Sequence, residues 1–144
     1  MGYFEDNLLR ELNGEITSNR IQVIEDNFSF FSLVREIFPP GFNRIDWSKI
    51  SHDESKLLQT DNRKEKIHQF VSNFLIKNNI SDAESIIYFG DAIDIALQMP
   101  LALFYSLSDN LIKIPQHSYI LDEDKRWCFN YTFEDEMYIG KSEI

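Results

Sequence analysis

Residues 117–140 read HSYILDEDKRWCFNYTFEDEMYIG and are the most informative part of the chain for its fold class. Apolar and polar side chains alternate with a period of two in three runs, residues 117–121, 126–133 and 137–140, which is typical of β-strands. The connections between these runs are short enough to be hairpin turns. This region therefore predicts three antiparallel strands.

Helical spacing dominates the first 80 residues. Apolar residues that recur every three to four positions predict three helices here, namely 4–12, 28–38 and 62–78. Ser51 with Glu54 three residues later is a capping-box pattern, which predicts a further short helix through Leu58. We therefore expect residues 1–80 to be mainly helical.

The segment between these two regions mixes both patterns. Ser85–Phe89 is a β-rich run that predicts a fourth strand, and Leu101–Ile114 predicts a helix packed on the sheet. Ala92–Met99 fits a helix and a strand equally, so its conformation stays open. Together the patterns predict one α+β domain over residues 1–144, with N-terminal helices followed by an antiparallel sheet of three to four strands.

The charge of the chain is concentrated in its second half. The net charge is -10 over 144 residues, and residues 81–144 hold 12 acidic residues against 4 basic ones. This balance argues against nucleic-acid binding and against binding to an anionic membrane, because both require a surplus of Lys and Arg. No apolar run reaches the length of a membrane span, and no secretion signal is visible. We expect a cytoplasmic protein whose macromolecular partner is basic.

Two acidic triplets bracket the predicted strand 126–133. If this strand pairs with both neighbours, the triplets lie at its opposite ends, about 25 Å apart. With two further aspartates upstream they form the predicted partner-binding set: Asp91, Asp94, Asp122, Glu123, Asp124, Glu134, Asp135 and Glu136. Solvated hairpin tips would give the same pattern, so the sequence leaves that interpretation open.

Enzymatic interpretations rest on a few side chains. Asp91 and Asp94 would share a helix face and could work as an acid–base pair, although Asp91 as the cap of a helix after Gly90 is the simpler interpretation. His117 could activate the single cysteine, Cys128, if the two strands bring them together.

There is no glycine-rich phosphate loop and no zinc-type or EF-hand spacing, so no cofactor or metal is predicted. A small hydrolase-like enzyme and a generic acidic adaptor remain the alternatives.

Short motifs in the second half resemble those of a known family. They are Tyr88-Phe89-Gly90-Asp91, Leu97-Gln98-Met99-Pro100-Leu101, Pro115-Gln116-His117-Ser118-Tyr119, Trp127-Cys128, Glu134 and Tyr138-Ile139-Gly140. Over residues 85–141 this succession resembles the immunity partners of contact-dependent growth inhibition and related polymorphic toxins of bacteria. The resemblance implies a small, cytoplasmic, non-enzymatic protein that binds and neutralises the toxic C-terminal domain of a cognate effector, often a nuclease. It supplies no catalytic residues, so the interface candidates come from the acidic set.

Overall fold

The computed structural model describes residues 2–41, 45–59, 61–83 and 85–144. Within them, the helices are α1 Tyr3–Glu11, α2 Asn13–Thr17, α3 Phe28–Ile37, α4 Arg63–Lys77 and α5 Leu101–Ile112, with one 3-10 turn at Trp47–Lys49. The strands are β1 Gln22–Ile24, β2 Asp53–Lys56, β3 Ile86–Gly90, β4 Ala96–Met99, β5 Ser118–Asp122, β6 Trp127–Tyr131 and β7 Glu136–Lys141. The α+β class is confirmed, and α3, α4 and α5 lie where the sequence predicts them.

The described strands form one antiparallel sheet of seven strands in the order β1-β4-β3-β5-β6-β7-β2. The prediction of three to four strands was too low, and the order of helices first and sheet second was wrong. Both edge strands, β1 and β2, come from the half predicted to be helical. β1 has only three residues and β2 has four that are all polar or charged, so neither shows the apolar alternation that identifies a half-buried strand.

The short helix predicted after Ser51 is replaced by a strand. Residues Asp53–Lys56 pair with β7, and the N–H of Leu57 continues this ladder by donating to the carbonyl of Asp135 at 2.9 Å. A capping-box pattern is a weak local preference, and the hydrogen bonds offered by the edge of β7 outweigh it.

The ambiguous segment Ala92–Met99 is a loop followed by β4. No helix begins after Gly90, so the interpretation of Asp91 as a helix cap was wrong. The reason is tertiary, because β4 fits between β3 and β1 and supplies hydrogen bonds to both.

Helices cover both faces of the sheet. On one face α1, α4 and α5 pack against alternate strand residues, including Tyr88, Leu97, Trp127 and Phe129. On the other face α3 and the segment around Trp47 pack against the intervening residues. The central strands β3, β5 and β6 are buried along their whole length, which explains the unbroken apolar run of β3.

Three of the four aromatic rings in the predicted strand 126–133 lie in the core. Trp127, Phe129 and Tyr131 are buried, but Phe133 is 61% exposed because β6 ends at Tyr131 and Phe133 falls in the following turn.

Candidate functional acidic surface

Three loops that are far apart in sequence meet at one end of the sheet. Gly90 pairs with Ser118 and Ser118 pairs with Tyr131, so the β3–β4 loop and the β6–β7 turn project from the same end. The loop after β1 joins them, because Ile24 pairs with Ala96 at the start of β4. We define the acidic end as residues 25–27, 91–95 and 132–136.

The three segments of the acidic end hold seven carboxylates and no Lys or Arg, and two cations from other elements border them: Arg63 lies 3.8 Å from Asp135, and Lys56 pairs opposite Glu136. Its acidic residues are Glu25, Asp26, Asp91, Asp94, Glu134, Asp135 and Glu136. The first five are exposed, and Asp135 and Glu136 are half-buried. The structure therefore brings five of the eight predicted residues together and adds Glu25 and Asp26, giving a concentrated negative potential on one surface.

Asn27 fastens the loop after β1 to the β3–β4 loop. Its side-chain amide donates to the carbonyls of Gly90 at 3.2 Å and Ile93 at 2.7 Å, and its backbone N–H donates to the carbonyl of Asp94 at 2.9 Å. Asn27 is itself buried. Because buried amide hydrogen bonds fix the geometry of both segments, these two acidic loops form one surface.

His117 links the β3–β4 loop to the β6–β7 turn. The Asp91 Oδ1 atom accepts the backbone N–H of His117 at 3.0 Å, and the N–H of Asp91 donates to the carbonyl of His117 at 3.3 Å. The imidazole meets the ring of Phe133 edge-on, with 5.3 Å between centroids. The acidic end is therefore continuous from Asn27 to Phe133.

Two exposed aromatic rings accompany the carboxylates. Phe28 is 66% exposed at the first position of α3, two residues after Asp26, whose Oδ1 accepts the Phe28 N–H at 2.8 Å. Phe133 is 61% exposed and precedes Glu134. Large aromatic side chains left in water beside charged groups are typical of protein-binding surfaces rather than of solvated turns.

Within the β6–β7 turn the carboxylates have different roles. Asp135 has a left-handed backbone with φ 61°, accepts the Tyr131 hydroxyl at 2.6 Å and lies 3.8 Å from the Arg63 guanidinium. Burial, reinforced by Asp135, raises the pKa of Tyr131, so the hydroxyl stays a donor. Asp135 therefore shapes the turn, while Glu134 points its charge into solvent.

The β5–β6 turn lies at the opposite end of the sheet and is built differently. Asp122 is only 3% exposed, and its Oδ1 atom accepts the N–H groups of Asp124 at 3.0 Å and Lys125 at 3.1 Å. The expectation that Asp122 faces a partner is corrected, because its carboxylate is enclosed by the turn it stabilises. Glu123 and Asp124 are exposed, but Lys125 and Arg126 follow them directly and offset their charge.

A buried hydrogen-bond network holds the start of the β3–β4 loop, which belongs to the acidic end. The Gln116 side chain accepts the Ala92 N–H at 2.8 Å and donates to the Tyr88 hydroxyl at 3.0 Å, and that hydroxyl donates to the Leu111 carbonyl at 2.8 Å. A Cβ atom at Gly90 would lie 2.2 Å from the Gln116 side chain, so only glycine leaves room for this network. The network fixes where the β3–β4 loop leaves the sheet.

A second support comes from α1. Glu5 is 4% exposed, and its Oε2 atom accepts the Asp94 N–H at 3.2 Å. The sequence gives no local sign of this role, since Glu5 is simply an acidic residue in the first turn of a helix. The contact ties the N-terminal helix to the loop that carries Asp91 and Asp94.

The residues considered for catalysis are not arranged as a nucleophile and its base. Cys128 is fully buried and pairs with Leu121, which lies four residues from His117 along the chain, or about 13 Å in a strand. Burial also raises the pKa of the Cys128 thiol and keeps it protonated. His117 instead uses its backbone to hold Asp91 and its ring to contact Phe133.

Sequence reasoning missed Glu25, Asp26 and Phe28 as members of the surface. The signal available was a charged pair followed by an asparagine and an apolar helix start, which by itself predicts a helix N-terminus. Only the pairing of β1 with β4 brings this segment beside Asp91 and Asp94.

Among the described residues, no group of three or more His, Cys, Asp or Glu side chains is placed to hold a metal ion. None of the helices described is long and apolar enough to cross a membrane. No protein-family model matches the chain, and a comparison with curated proteins gives no match.

Proposed function

We propose that this protein is an immunity protein that neutralises the toxic C-terminal domain of a cognate contact-dependent inhibition effector by binding it at the acidic end. The observation that carries the proposal is one continuous surface with seven carboxylates and two exposed phenylalanines, in which the acidic charge exceeds that of the bordering cations Arg63 and Lys56. The toxin domain is basic, and a nuclease is the activity that fits best. A nuclease must hold a phosphate backbone with cationic side chains, and an acidic inhibitor competes for those side chains.

The charge distribution supports a role in association. Carboxylates concentrated on one end create a field that steers a cationic partner and speeds encounter, and salt weakens this effect. Carboxylates in separate hairpin tips would contribute little, because each would be screened alone. The hydrogen bonds of Asn27 and Asp91 hold the loops in place, so little ordering is required on binding.

The exposed aromatic rings support a protein partner over a small cation. Phe28 and Phe133 offer apolar area that becomes buried in an interface, and each ring lies close in sequence to an exposed carboxylate, Asp26 and Glu134 respectively. A generic acidic adaptor would use the same surface, so the choice of an immunity function rests additionally on the motif resemblance over residues 85–141.

The proposed function is tested by co-expression with the toxin domain encoded beside it. The toxin domain alone is expected to stop growth of the host cell, and this protein is expected to restore growth and to co-purify with the domain in a one-to-one ratio of chains. A toxin domain from a different effector provides the specificity control.

Absence of rescue together with absence of binding would contradict the proposed function. Rescue without any complex would point to the enzymatic alternative, in which the protein acts on a product or substrate of the toxin. Replacing Cys128 by Ser and His117 by Gln in the rescue assay then separates that alternative from an inhibitor.

A further inference from the structure

The strand β2 ends the sheet, with β7 on one side and no further described strand on the other. Glu54, Ser55 and Lys56 are all exposed. A free strand edge presents unpaired N–H and C=O groups that can bond to another strand.

The register with β7 determines which backbone groups are free. The Leu57 N–H donates to the Asp135 carbonyl. Every second residue before Leu57 therefore also directs its backbone N–H and C=O toward β7, and Ser55, opposite Met137, is one of these. Hydrogen-bonding direction alternates along an antiparallel strand. The N–H and C=O groups of Glu54 and Lys56 therefore point away from β7 toward the open edge.

The free edge is complementary to itself. If two copies of β2 pair antiparallel with Ser55 opposite Ser55, each Glu54 lies opposite the other copy's Lys56. The backbone groups of both residues point toward the open edge. The N–H of Glu54 can therefore donate to the carbonyl of the other copy's Lys56, and the N–H of that Lys56 can donate to the carbonyl of Glu54. Their side chains lie on one face, so the same register forms two opposite-charge cross-strand pairs.

We propose that β2 pairs with β2 of a second copy of this chain in that register, so that the two sheets join across a two-fold axis. A two-fold interface must be self-complementary, and this strand meets that condition in both hydrogen bonding and charge. The opposite edge does not, because a two-fold pairing of β1 about Val23 would place Gln22 opposite Ile24.

Apolar surface beside β2 adds to the interface. Leu58 is 91% exposed two residues after the strand. It lies in a groove of about 550 Å³ that also contains Leu57, Phe70 and Met137, with the cationic side chains of Lys56 and Lys66 and no carboxylate in its lining. In the joined sheet, Asp53 of one copy lies opposite Leu57 of the other, with its carboxylate ion-paired to Lys77 of its own chain.

Two neighbouring charges determine which substitution tests the pairing cleanly. Glu136 of β7 lies opposite Lys56, and His52 Nε2 lies 3.1 Å from the Glu54 carboxylate. Lys56→Glu alone would bring two carboxylates together within one chain. Glu54→Lys loses only the exposed His52 contact, so it is the better single variant.

The test measures the monomer–dimer constant by analytical ultracentrifugation. The wild type is expected to dimerise reversibly. Glu54→Lys puts two Lys–Lys pairs in the interface and is expected to weaken dimerisation by roughly 10-fold or more. Glu54→Lys combined with Lys56→Glu recreates both opposite-charge pairs and is expected to restore dimerisation.

Glu36→Lys, which makes the same charge change at an exposed position on α3, is the matched control and is expected to leave the constant unchanged. Circular dichroism melts verify that each variant folds. A wild type that stays monomeric at its highest soluble concentration overturns the proposal. Dimerisation that responds equally to Glu54→Lys, the double variant and Glu36→Lys also overturns it.

Discussion

The β5–β6 turn and the β6–β7 turn each include an acidic triplet, but the carboxylates differ in burial and in their neighbours. In the first turn Asp122 is buried and accepts two backbone N–H groups, and Lys125 and Arg126 follow. In the second turn Glu134 is exposed beside Phe133, and the loops carrying Asp91 and Asp94 lie at the same end. In the first triplet the buried Asp122 builds the turn, whereas in the second triplet Asp135 shapes the turn and Glu134 belongs to the surface.

This difference shows that a run of like charge has no fixed role. A carboxylate that accepts backbone donors stabilises local structure, and its charge is partly neutralised by those donors. A carboxylate without such donors adds to the negative potential at the protein surface. Charged residues in neighbouring loops then weaken or strengthen that potential. The two ends of the sheet can therefore be separated by experiment, beginning with the change expected to have the largest effect.

Gly90→Ala is expected to reduce the free energy of unfolding by roughly 2–3 kcal/mol, because the new Cβ overlaps the Gln116 side chain in a packed interior. Urea unfolding measures the loss. Gly14→Ala is the control, since no atom lies within 4 Å of its Cβ position, and it is expected to be neutral or slightly stabilising. Equal effects of the two variants would contradict the buried network under the acidic end.

Asp122→Ala is expected to cost about 1–3 kcal/mol of stability, because it leaves the N–H groups of Asp124 and Lys125 without their buried acceptor. Glu134→Ala removes an exposed carboxylate and is expected to change stability by less than about 0.5 kcal/mol. Both are measured by urea unfolding at neutral pH. Similar losses at the two positions would show that the triplets do not differ in their structural role.

Alkaline pH is expected to destabilise the fold through its buried acids. Burial raises the pKa of Cys128, Tyr88 and Tyr131 above the usual 9.0 for the thiol and 10.0 for the phenols. Their stabilising contribution is complete below those values, and it decreases above about pH 9, where the unfolded chain releases protons that the folded chain retains.

Urea unfolding between pH 7 and 11 measures this decrease. Tyr131→Phe is expected to make the decrease shallower while costing roughly 1 kcal/mol at neutral pH through the lost bond to Asp135. A stability that stays constant above pH 10 would contradict the burial of these groups.

The smallest stability effects are expected from charge reversal of exposed acids at either end. Glu123→Lys and Glu134→Lys each are expected to change stability by less than about 0.5 kcal/mol, because both side chains are in solvent. Thermal melts check this. A large change in either variant would mean that its carboxylate has a structural partner.

The sequence predicted the central strands and main helices because their apolar residues recur with a clear period. It could not predict β1 and β2, since Gln22–Ile24 and Asp53–Lys56 become strands only through the edges of β4 and β7. For the surface, it found Asp91, Asp94 and Glu134–Glu136 from charge alone. It placed Asp122 with them because charge does not reveal burial, and it omitted Glu25 and Asp26 because only strand pairing brings them to the same end.

The central claim is that the acidic end, and not the β5–β6 turn, binds the basic partner. Two triple variants with the same charge change test it: Glu25→Lys, Asp94→Lys and Glu134→Lys at the acidic end, and Glu123→Lys, Asp124→Lys and Glu143→Lys at the opposite end. The measurement is the association rate with the toxin domain by surface plasmon resonance at low salt. The account predicts that the first triple slows association about 10-fold or more, while the second stays within about 2-fold of the wild type. Equal slowing by both triples, or slowing by the second alone, would contradict it.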